Sequence, residues 1–195
     1  MKQPGNEPGD NEPCHHEPGN NERGHAATEV IPAVGLCAGV GSGRLLKLDE
    51  PLSLWGGTDL HTGMITDVHH PQHGTAITGR VLLMSASRGS SSSSSVLAEQ
   101  IRAGVGPAAL VLCARDAILA LGSLAAAELY GIRMPVVLID PSVAQLLPDD
   151  SPVTVTAGSA ADGTVGASIA INSASASTPT NSVGASAAVV NGGRS

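Results

Sequence analysis

Short apolar runs alternate with helix-like segments over the second half of the chain, and this alternation limits the folds that it can adopt. The apolar runs are VLLM, AALVLC and MPVVLID, and each leads into a segment with helical spacing of its apolar residues. A last run, PVTVTA, alternates as a half-buried strand does. From residue 80 onward the predicted order is therefore β-α-β-α-β-α-β, which favours a largely parallel sheet flanked by helices.

Capping residues mark the ends of the predicted helices. Gly104 follows the first helix, Asp116 precedes the second and Gly131 follows it, and Asp140 with Pro141 opens the third. Aspartate accepts N–H groups at a helix start, proline fits the first turn, and glycine takes the left-handed conformation that ends many helices. The sequence therefore predicts where these helices begin and end.

The segment between residues 33 and 78 has a different pattern. Two strand-like pieces, GRLLKLD and GMITDV, are separated by stretches rich in turn-forming residues. We expect this part to form an all-β layer that folds against the α/β part. The predicted fold class is therefore α/β, in a three-layer β/β/α arrangement instead of a doubly wound one.

The two ends differ from the middle in composition. The first carries a five-residue repeat of Pro, Gly, Asn and Glu, and the last is dominated by Ala, Ser, Gly and Thr without a sustained apolar stripe. Such segments have little to bury in a core. We predict disordered tails over residues 1–29 and 157–195, and one folded domain over 30–156.

Charge and composition exclude several classes of protein. A net charge of −7, ten scattered Lys and Arg, one Trp, one Tyr and no Phe argue against nucleic-acid binding. No apolar run has the length of a bilayer span and no signal peptide is evident, so we expect a cytoplasmic protein. The cysteines lack CxxC spacing, so we expect this chain alone to bind no iron-sulfur cluster or structural zinc. They are Cys14, Cys37 and Cys113.

The segment RGSSSSSSVLAEQ, which starts at Arg88, joins a predicted strand to a predicted helix. A turn of this kind points backbone N–H groups at whatever it holds, and the helix start adds partial positive charge. It can bind an anion, or it can stabilise a serine alkoxide that acts as a base. Ser90, directly after Gly89, is best placed for the second role, and Ser93 to Ser95 suit a helix cap and first turn. From the residues alone, catalysis, anion binding and a plain turn or linker all stay open.

Other polar residues have structural alternatives beside a functional role. Arg88 could pair with a substrate carboxylate or phosphate, or be a surface arginine that bonds the turn. Asp59, after Gly56 and Gly57, is expected to accept backbone N–H groups in a tight turn with a structural or subunit-facing role. Three histidines lie in the proline-interrupted segment HHPQH without helical spacing, with a fourth nearby, so we predict no metal site there. They are His61, His69, His70 and His73.

Four segments in this order resemble the swivel domain of aconitase X. They are EPLSLWGGTDLHTGMITDVHHPQHG, GRVLLMSASRGSSSSSSVLAE, GPAALVLCARDAILALG and PVVLID. The resemblance spans about residues 35–156. Its most specific parts are the W-G-G-x-D-x-x-T-G block and the R-G-S-S-S block.

The resemblance implies the swivelling-domain fold of the aconitase superfamily and a hydro-lyase activity. In that family the domain is fused to a large catalytic domain or made as a separate small subunit, and this chain looks like the small subunit of a heterodimer. The large partner would hold the iron-sulfur cluster or iron, and this chain would bind neither. Ser90 matches the position of the superfamily's catalytic base. The implied substrate-binding residues are Arg88, Gly89, Ser91 and Ser92.

Two substrates are implied, and both are anionic. One is cis-3-hydroxy-L-proline, dehydrated to pyrroline-2-carboxylate mainly in bacteria, and the other is mevalonate 5-phosphate, dehydrated to anhydromevalonate phosphate in archaea. The Ala-rich composition without Phe favours the first. Two alternatives stay open: a non-catalytic module that binds an anion or regulates a partner, and a degenerate paralogue that keeps only the fold.

Overall fold

The computed structural model describes residues 29–159 and 165–172 of the chain. The helices described there include none long and apolar enough to cross a membrane. The elements follow one another as β1 (Glu29–Cys37), β2 (Gly39–Lys47), α1 (Leu54–Gly57), β3 (Val81–Met84), α2 (Ser92–Ala103), β4 (Ala109–Leu112), α3 (Ala117–Tyr130), β5 (Val136–Leu138), α4 (Pro141–Leu146), β6 (Pro152–Ser159) and β7 (Val165–Ile171).

The strands form one closed barrel in the order β1-β5-β4-β3-β2-β6-β7. Strands β2, β3, β4 and β5 run parallel to one another in that order, as predicted for β3, β4 and β5. The parallel pairing of β2 was not predicted, and PVTVTA, which forms β6, was expected in the parallel sheet but pairs only antiparallel. Strand β6 is antiparallel to β2 and β7, and β7 and β5 are antiparallel to β1. One wall of the barrel is therefore parallel and carries the helical crossovers, and the other wall is antiparallel.

Capping residues set the helix boundaries as the sequence predicted. Asp116 and Asp140 accept N–H groups from the first turns of α3 and α4, and Pro141 opens α4. Gly104 and Gly131 end α2 and α3 in the left-handed conformation. These four boundary predictions are confirmed.

Two hydrophobic cores separate three layers. Both faces of β3 and β4 are buried, which explains why these two strands are continuous apolar runs. The core inside the barrel includes Leu45, Val81, Leu83, Val111, Val137, Leu147, Val153, Val155 and Ile169. The core between the parallel wall and the helices includes Leu46, Leu82, Met84, Leu97, Ile101, Leu110, Leu112, Leu119 and Val136. The layers are antiparallel wall, parallel wall and helices, so the predicted α/β class with β/β/α layering is confirmed.

The domain boundary predicted at residue 156 is wrong. Strand β6 continues to Ser159, and β7 lies within the predicted tail over 157–195. Strand β7 pairs with β1 on one side and β6 on the other, and Ile169 is fully buried in the barrel. Two ladders satisfy the backbone polar groups of a strand whose side chains are mostly small. At the other end Glu29 belongs to β1, and the rest of both predicted tails lies outside the described residues.

The strand predicted for GMITDV is also wrong. This segment lies in a long loop and makes isolated bridges, between Ile65 and Thr58 and between Met64 and Ala76. Gly63 has a φ of +67°, which interrupts an extended chain. The other strand-like piece, GRLLKLD, is confirmed because it overlaps β2.

Candidate active site at the serine turn

The carboxyl ends of the parallel strands meet at one edge of the barrel, which is where ligands bind in many parallel α/β folds. We call residues 85–91, which join β3 to α2 at this edge, the serine turn. Its first residue is tied to the segment after β4, since the Ser85 carbonyl accepts the N–H groups of Cys113 and Ala114 at 3.1 and 2.9 Å. The serine turn is therefore anchored to the neighbouring strand end.

Gly89 allows the serine turn to approach the loop that follows β2. Its φ is +116°, a conformation that side chains disfavour. A Cβ at this position would lie 2.7 Å from Ser53 Oγ. The backbone conformation favours glycine here, and a larger residue would also displace the Ser53 hydroxyl.

Ser90 is exposed in the serine turn, two residues before the first residue of α2. Its Oγ accepts the Ser92 N–H at 3.2 Å, and its carbonyl accepts the Ser93 N–H at 3.1 Å. A backbone donor and the start of a helix both stabilise negative charge on Oγ. Among the described residues, none accepts the N–H groups of Gly89, Ser90 and Ser91 through a backbone carbonyl. The serine turn therefore presents N–H donors beside an exposed hydroxyl, and its use as an oxyanion or anion site stays a prediction.

The remaining serines divide into two groups. Ser91 and Ser92 are exposed beside Ser90 at the start of α2. Ser93 is buried, and its Oγ accepts the Trp55 N–H at 3.3 Å. Ser94 donates its hydroxyl to the Ser91 carbonyl at 2.7 Å. The prediction that the later serines form the first turn of the helix is confirmed.

Arg88 is held beside the serine turn by the loop between β2 and β3. Its main-chain N–H donates to the Leu52 carbonyl at 3.2 Å, and its guanidinium donates to Asp67 at 3.0 Å and lies 4.0 Å from the Glu50 carboxylate. The His69 N–H and the Arg88 charge hold the pKa of Asp67 below its ordinary value, against partial desolvation. A substrate anion would therefore compete with Asp67 for a guanidinium that is half exposed.

Asp116, which the sequence identified only as a helix cap, also lies against the serine turn. Its Oδ2 accepts both the N–H and the hydroxyl of Ser87, at 2.7 and 2.6 Å. Burial acts to raise the pKa of Asp116, but the hydrogen bonds from Ser87 and from the first turn of α3 outweigh it, so this pKa lies below its ordinary value. Asp116 follows β4 and Ser87 follows β3, and these two strands are neighbours in the sheet. A prediction that the two strands pair was the one signal in the sequence that could have placed Asp116 near Ser87.

The W-G-G-x-D block forms a turn beside the serine turn. Trp55 is exposed and Gly56 has a φ of +76°. Asp59 accepts the N–H groups of His61 and Thr62 at 2.9 and 2.8 Å, as predicted for a tight turn. The Thr62 hydroxyl and these two N–H groups lower the pKa of Asp59. The contacts of this block are those of a structural turn.

The histidine loop and the cysteines supply no metal site in the part of the chain that the structure describes, where no group of three or more potential ligands occurs. His70 is buried, its Nδ1 accepts the Gln72 N–H at 3.1 Å, and its Nε2 lies 3.2 Å from the Glu50 carbonyl. Cys37 lies in the core, and burial raises the pKa of its thiol. Cys14 lies outside the described residues.

The sequence around the serine turn matches a known protein family. The family model that describes the aconitase X swivel domain matches residues 31–165. The chain belongs to this family. The serine turn of this swivel domain thus lies within the matched region, as do the Trp55 block and Asp116.

Two curated relatives of the swivel domain are dehydratases by name. It is 44% identical over 107 residues to the cis-3-hydroxy-L-proline dehydratase of Pseudomonas aeruginosa, covering 55% of this chain and 18% of that protein. It is 39% identical over 88 residues to the phosphomevalonate dehydratase small subunit of Methanothermobacter thermautotrophicus, covering 45% of this chain and 67% of that one. The swivel domain thus spans less than a fifth of the Pseudomonas protein.

The fold has a counterpart in the crystal structure of Thermococcus kodakaraensis aconitase X in its holo form. The match has a TM-score of 0.59 at 23% identity and covers 74% of this chain and 99% of that chain. The predicted fold is confirmed by this match. The roles assigned to Ser90 and to its neighbours in the serine turn stay predictions.

Proposed function

We propose that this swivel domain is the small subunit of an aconitase X-type hydro-lyase and acts with a large catalytic subunit as a heterodimer in the cytoplasm. The substrate in this proposal is cis-3-hydroxy-L-proline, which loses water to give pyrroline-2-carboxylate. The observation that carries the proposal is the serine turn, an exposed hydroxyl at a helix start in a member of the aconitase X swivel family. The 44% identity to a dehydratase named for this substrate supports the choice.

Ser90 is the base in this proposal. Dehydration removes a proton from the carbon next to the one that carries the hydroxyl group, forms a carbon–carbon double bond and releases water. Ser90 Oγ takes the proton, and the Ser92 N–H with the start of α2 offsets the charge that develops on Oγ. Without such donors a serine alkoxide is too unstable to form near neutral pH.

The rest of the serine turn binds the anionic group of the substrate. The N–H groups of Gly89 and Ser91 and the hydroxyls of Ser91 and Ser92 belong to exposed residues and are the donors in this proposal. The Arg88 guanidinium is positively charged and has enough N–H donors to pair with Asp67 and with a substrate carboxylate at the same time. This arrangement orients the substrate over Ser90 Oγ.

The large partner has two roles in this proposal. It covers the exposed Ser90 and excludes water from the reacting atoms, since the hydroxyl is open to solvent in the swivel domain alone. It also holds the iron-sulfur cluster or iron of the enzyme. The described residues of this chain do not fit such a group, because they contain no set of three potential ligands and Cys37 is buried in the core.

Mevalonate 5-phosphate is the second candidate substrate. A relative named as the small subunit of phosphomevalonate dehydratase is matched over 67% of its own length at 39% identity, which supports this candidate. A helix start with free N–H groups also binds phosphate. The serine turn suits either anion.

Reconstitution with the large subunit tests the proposal. The full chain is co-expressed with its large aconitase X partner, and the purified pair, the chain alone and the partner alone are assayed with both substrates. We expect turnover of cis-3-hydroxy-L-proline by the pair only. Turnover of mevalonate 5-phosphate alone would assign the second substrate, and a stable pair that converts neither would contradict a hydro-lyase.

A further inference from the structure

One carboxylate joins the serine turn to helix α3. Asp116 Oδ1 accepts the N–H groups of Ile118 and Leu119 at 3.0 and 3.1 Å, at the start of α3. Its Oδ2 accepts the N–H and the hydroxyl of Ser87 at 2.7 and 2.6 Å. Only 9% of Asp116 is exposed. A buried carboxylate with four short donors cannot rotate without losing charge-assisted hydrogen bonds, so its orientation is fixed by α3.

The four residues from Ser87 to Ser90 are held in place on both sides. The Arg88 N–H donates to the Leu52 carbonyl, and Gly89 lies against Ser53. On the other side the Ser90 carbonyl accepts an N–H group from α2. A shift of Ser87 is therefore passed along the backbone to Ser90.

We infer that Asp116 is a positioning residue for the Ser90 hydroxyl, acting through Ser87 without touching the substrate. The inference rests on the proposed function in so far as Ser90 is the base. Asp116 holds the first arm of the serine turn at a fixed distance from α3, and so sets where Oγ lies when the partner closes over it. Misplacement of a reacting group by about 1 Å can cost about 100-fold in rate.

The substitution Asp116→Asn separates the capping role from the positioning role. Asparagine caps helices about as well as aspartate, so its oxygen can keep the α3 N–H groups satisfied. Its amide NH₂ then faces the Ser87 N–H, donor against donor. We expect kcat of the reconstituted enzyme to fall about 10- to 100-fold with KM changed less than about twofold.

Asp140→Asn is the matched control. Asp140 follows the neighbouring strand β5 and accepts the N–H and hydroxyl of Ser142 at 2.8 and 2.6 Å, so it caps α4 with the same kind of contacts. Its described hydrogen bonds involve no residue of the serine turn. We expect kcat of the reconstituted Asp140→Asn enzyme to stay within about twofold of wild type, because substitutions of exposed residues away from a site have small effects. Ser87→Ala, which leaves the Asp116 cap intact, should lose part of kcat and serves if Asp116→Asn does not fold.

Hydrogen exchange tests the same inference without the reaction. In the full chain alone, the amides of Ser87 and Arg88, which donate to Asp116 and to the Leu52 carbonyl, should exchange faster in Asp116→Asn than in wild type, and at the wild-type rate in Asp140→Asn. Unchanged exchange, or a wild-type kcat for Asp116→Asn and Ser87→Ala, would overturn the positioning role. If the wild-type pair converts neither substrate, the proposed function fails, and the exchange result still decides whether Asp116 holds the turn.

Discussion

Single side chains at the edge of the barrel are defined by the backbone groups that they bind. Ser90 Oγ receives an N–H group from the helix that follows it, and Asp116 receives N–H groups from two different elements. A charge that is nearly buried is tolerated only because each oxygen is fully hydrogen-bonded. The N–H groups of α2 thus stabilise charge on Ser90 Oγ, and those of α3 stabilise the Asp116 carboxylate.

The lowered pKa of Asp116 has a consequence for stability in acid. The pKa of an aspartate in an unfolded chain is about 3.9, and the folded value lies below it. The ionised form therefore contributes stability above about pH 4, and this contribution is lost as pH falls through the folded pKa. We predict a larger drop in Tm between pH 7 and 3, measured by calorimetry, for wild type than for Asp116→Asn. Equal drops would contradict the prediction, since the other carboxylates are common to both proteins.

At the scale of elements, α2 and α3 pack closely at Gly122. A Cβ on this glycine would lie 2.7 Å from the Ser94 carbonyl oxygen and 3.0 Å from Leu97 Cβ. Because α2 starts at the serine turn, its distance from α3 also fixes where the turn lies. The packing of two helices thus positions the candidate site.

We predict that Gly122→Ala destabilises the protein. Alanine gains about 1 kcal/mol over glycine in helix propensity, but forcing a methyl group against a backbone oxygen costs about 1–3 kcal/mol. The expected net effect is a loss of unfolding free energy, measured by urea denaturation. Gly158→Ala is the control, since no atom of the described residues lies within 4 Å of a Cβ there. A Gly122→Ala variant as stable as this control would show that the helices can move apart freely.

Local chemistry explains which elements the sequence could predict. Caps such as Asp116, Gly131 and the Asp140–Pro141 pair act on neighbouring residues, so the helices were predicted correctly. Strands β1 and β7 were not predicted, because their sequences carry no strong strand pattern. Their stability comes from pairing with each other. Partners at opposite ends of the domain leave no local signal.

The same distinction holds for the candidate site. The serine turn was predicted because an apolar strand and a helix flank it directly in the chain. The bonds from Ser87 to Asp116 and from Arg88 to Asp67 join residues 29 and 21 positions apart, and no local pattern reveals them. The sequence could therefore predict where the site lies but not what holds it.

At the scale of the whole molecule, β7 closes the barrel. It lies between β6 and β1, and a closed barrel has no open sheet edge. Without β7, both neighbours would expose unpaired N–H and C=O groups, and the barrel core would lose the buried side chain of Ile169. The two strands nearest the ends of the domain thus depend on each other.

We predict that a chain ending at Thr164 is less stable than a chain ending at Asn172. The second keeps all of β7 and is the reference. Loss of Ile169 burial alone costs about 1.5–3 kcal/mol, and loss of two ladders adds to it. Thermal unfolding should show a clearly lower Tm and a less cooperative transition for the shorter chain. The same Tm for both would mean that β7 contributes nothing to the fold.

The most direct test of the account is the activity of Ser90→Ala in the reconstituted pair. Ser95→Ala is the matched control, since Ser95 is also exposed but lies within the first turn of α2. Removing a general base typically costs about 100- to 10,000-fold in rate, so we predict a loss of kcat in this range for Ser90→Ala, with an intact complex, and wild-type kcat for Ser95→Ala. Full activity of Ser90→Ala would contradict the assignment of Ser90 as the base.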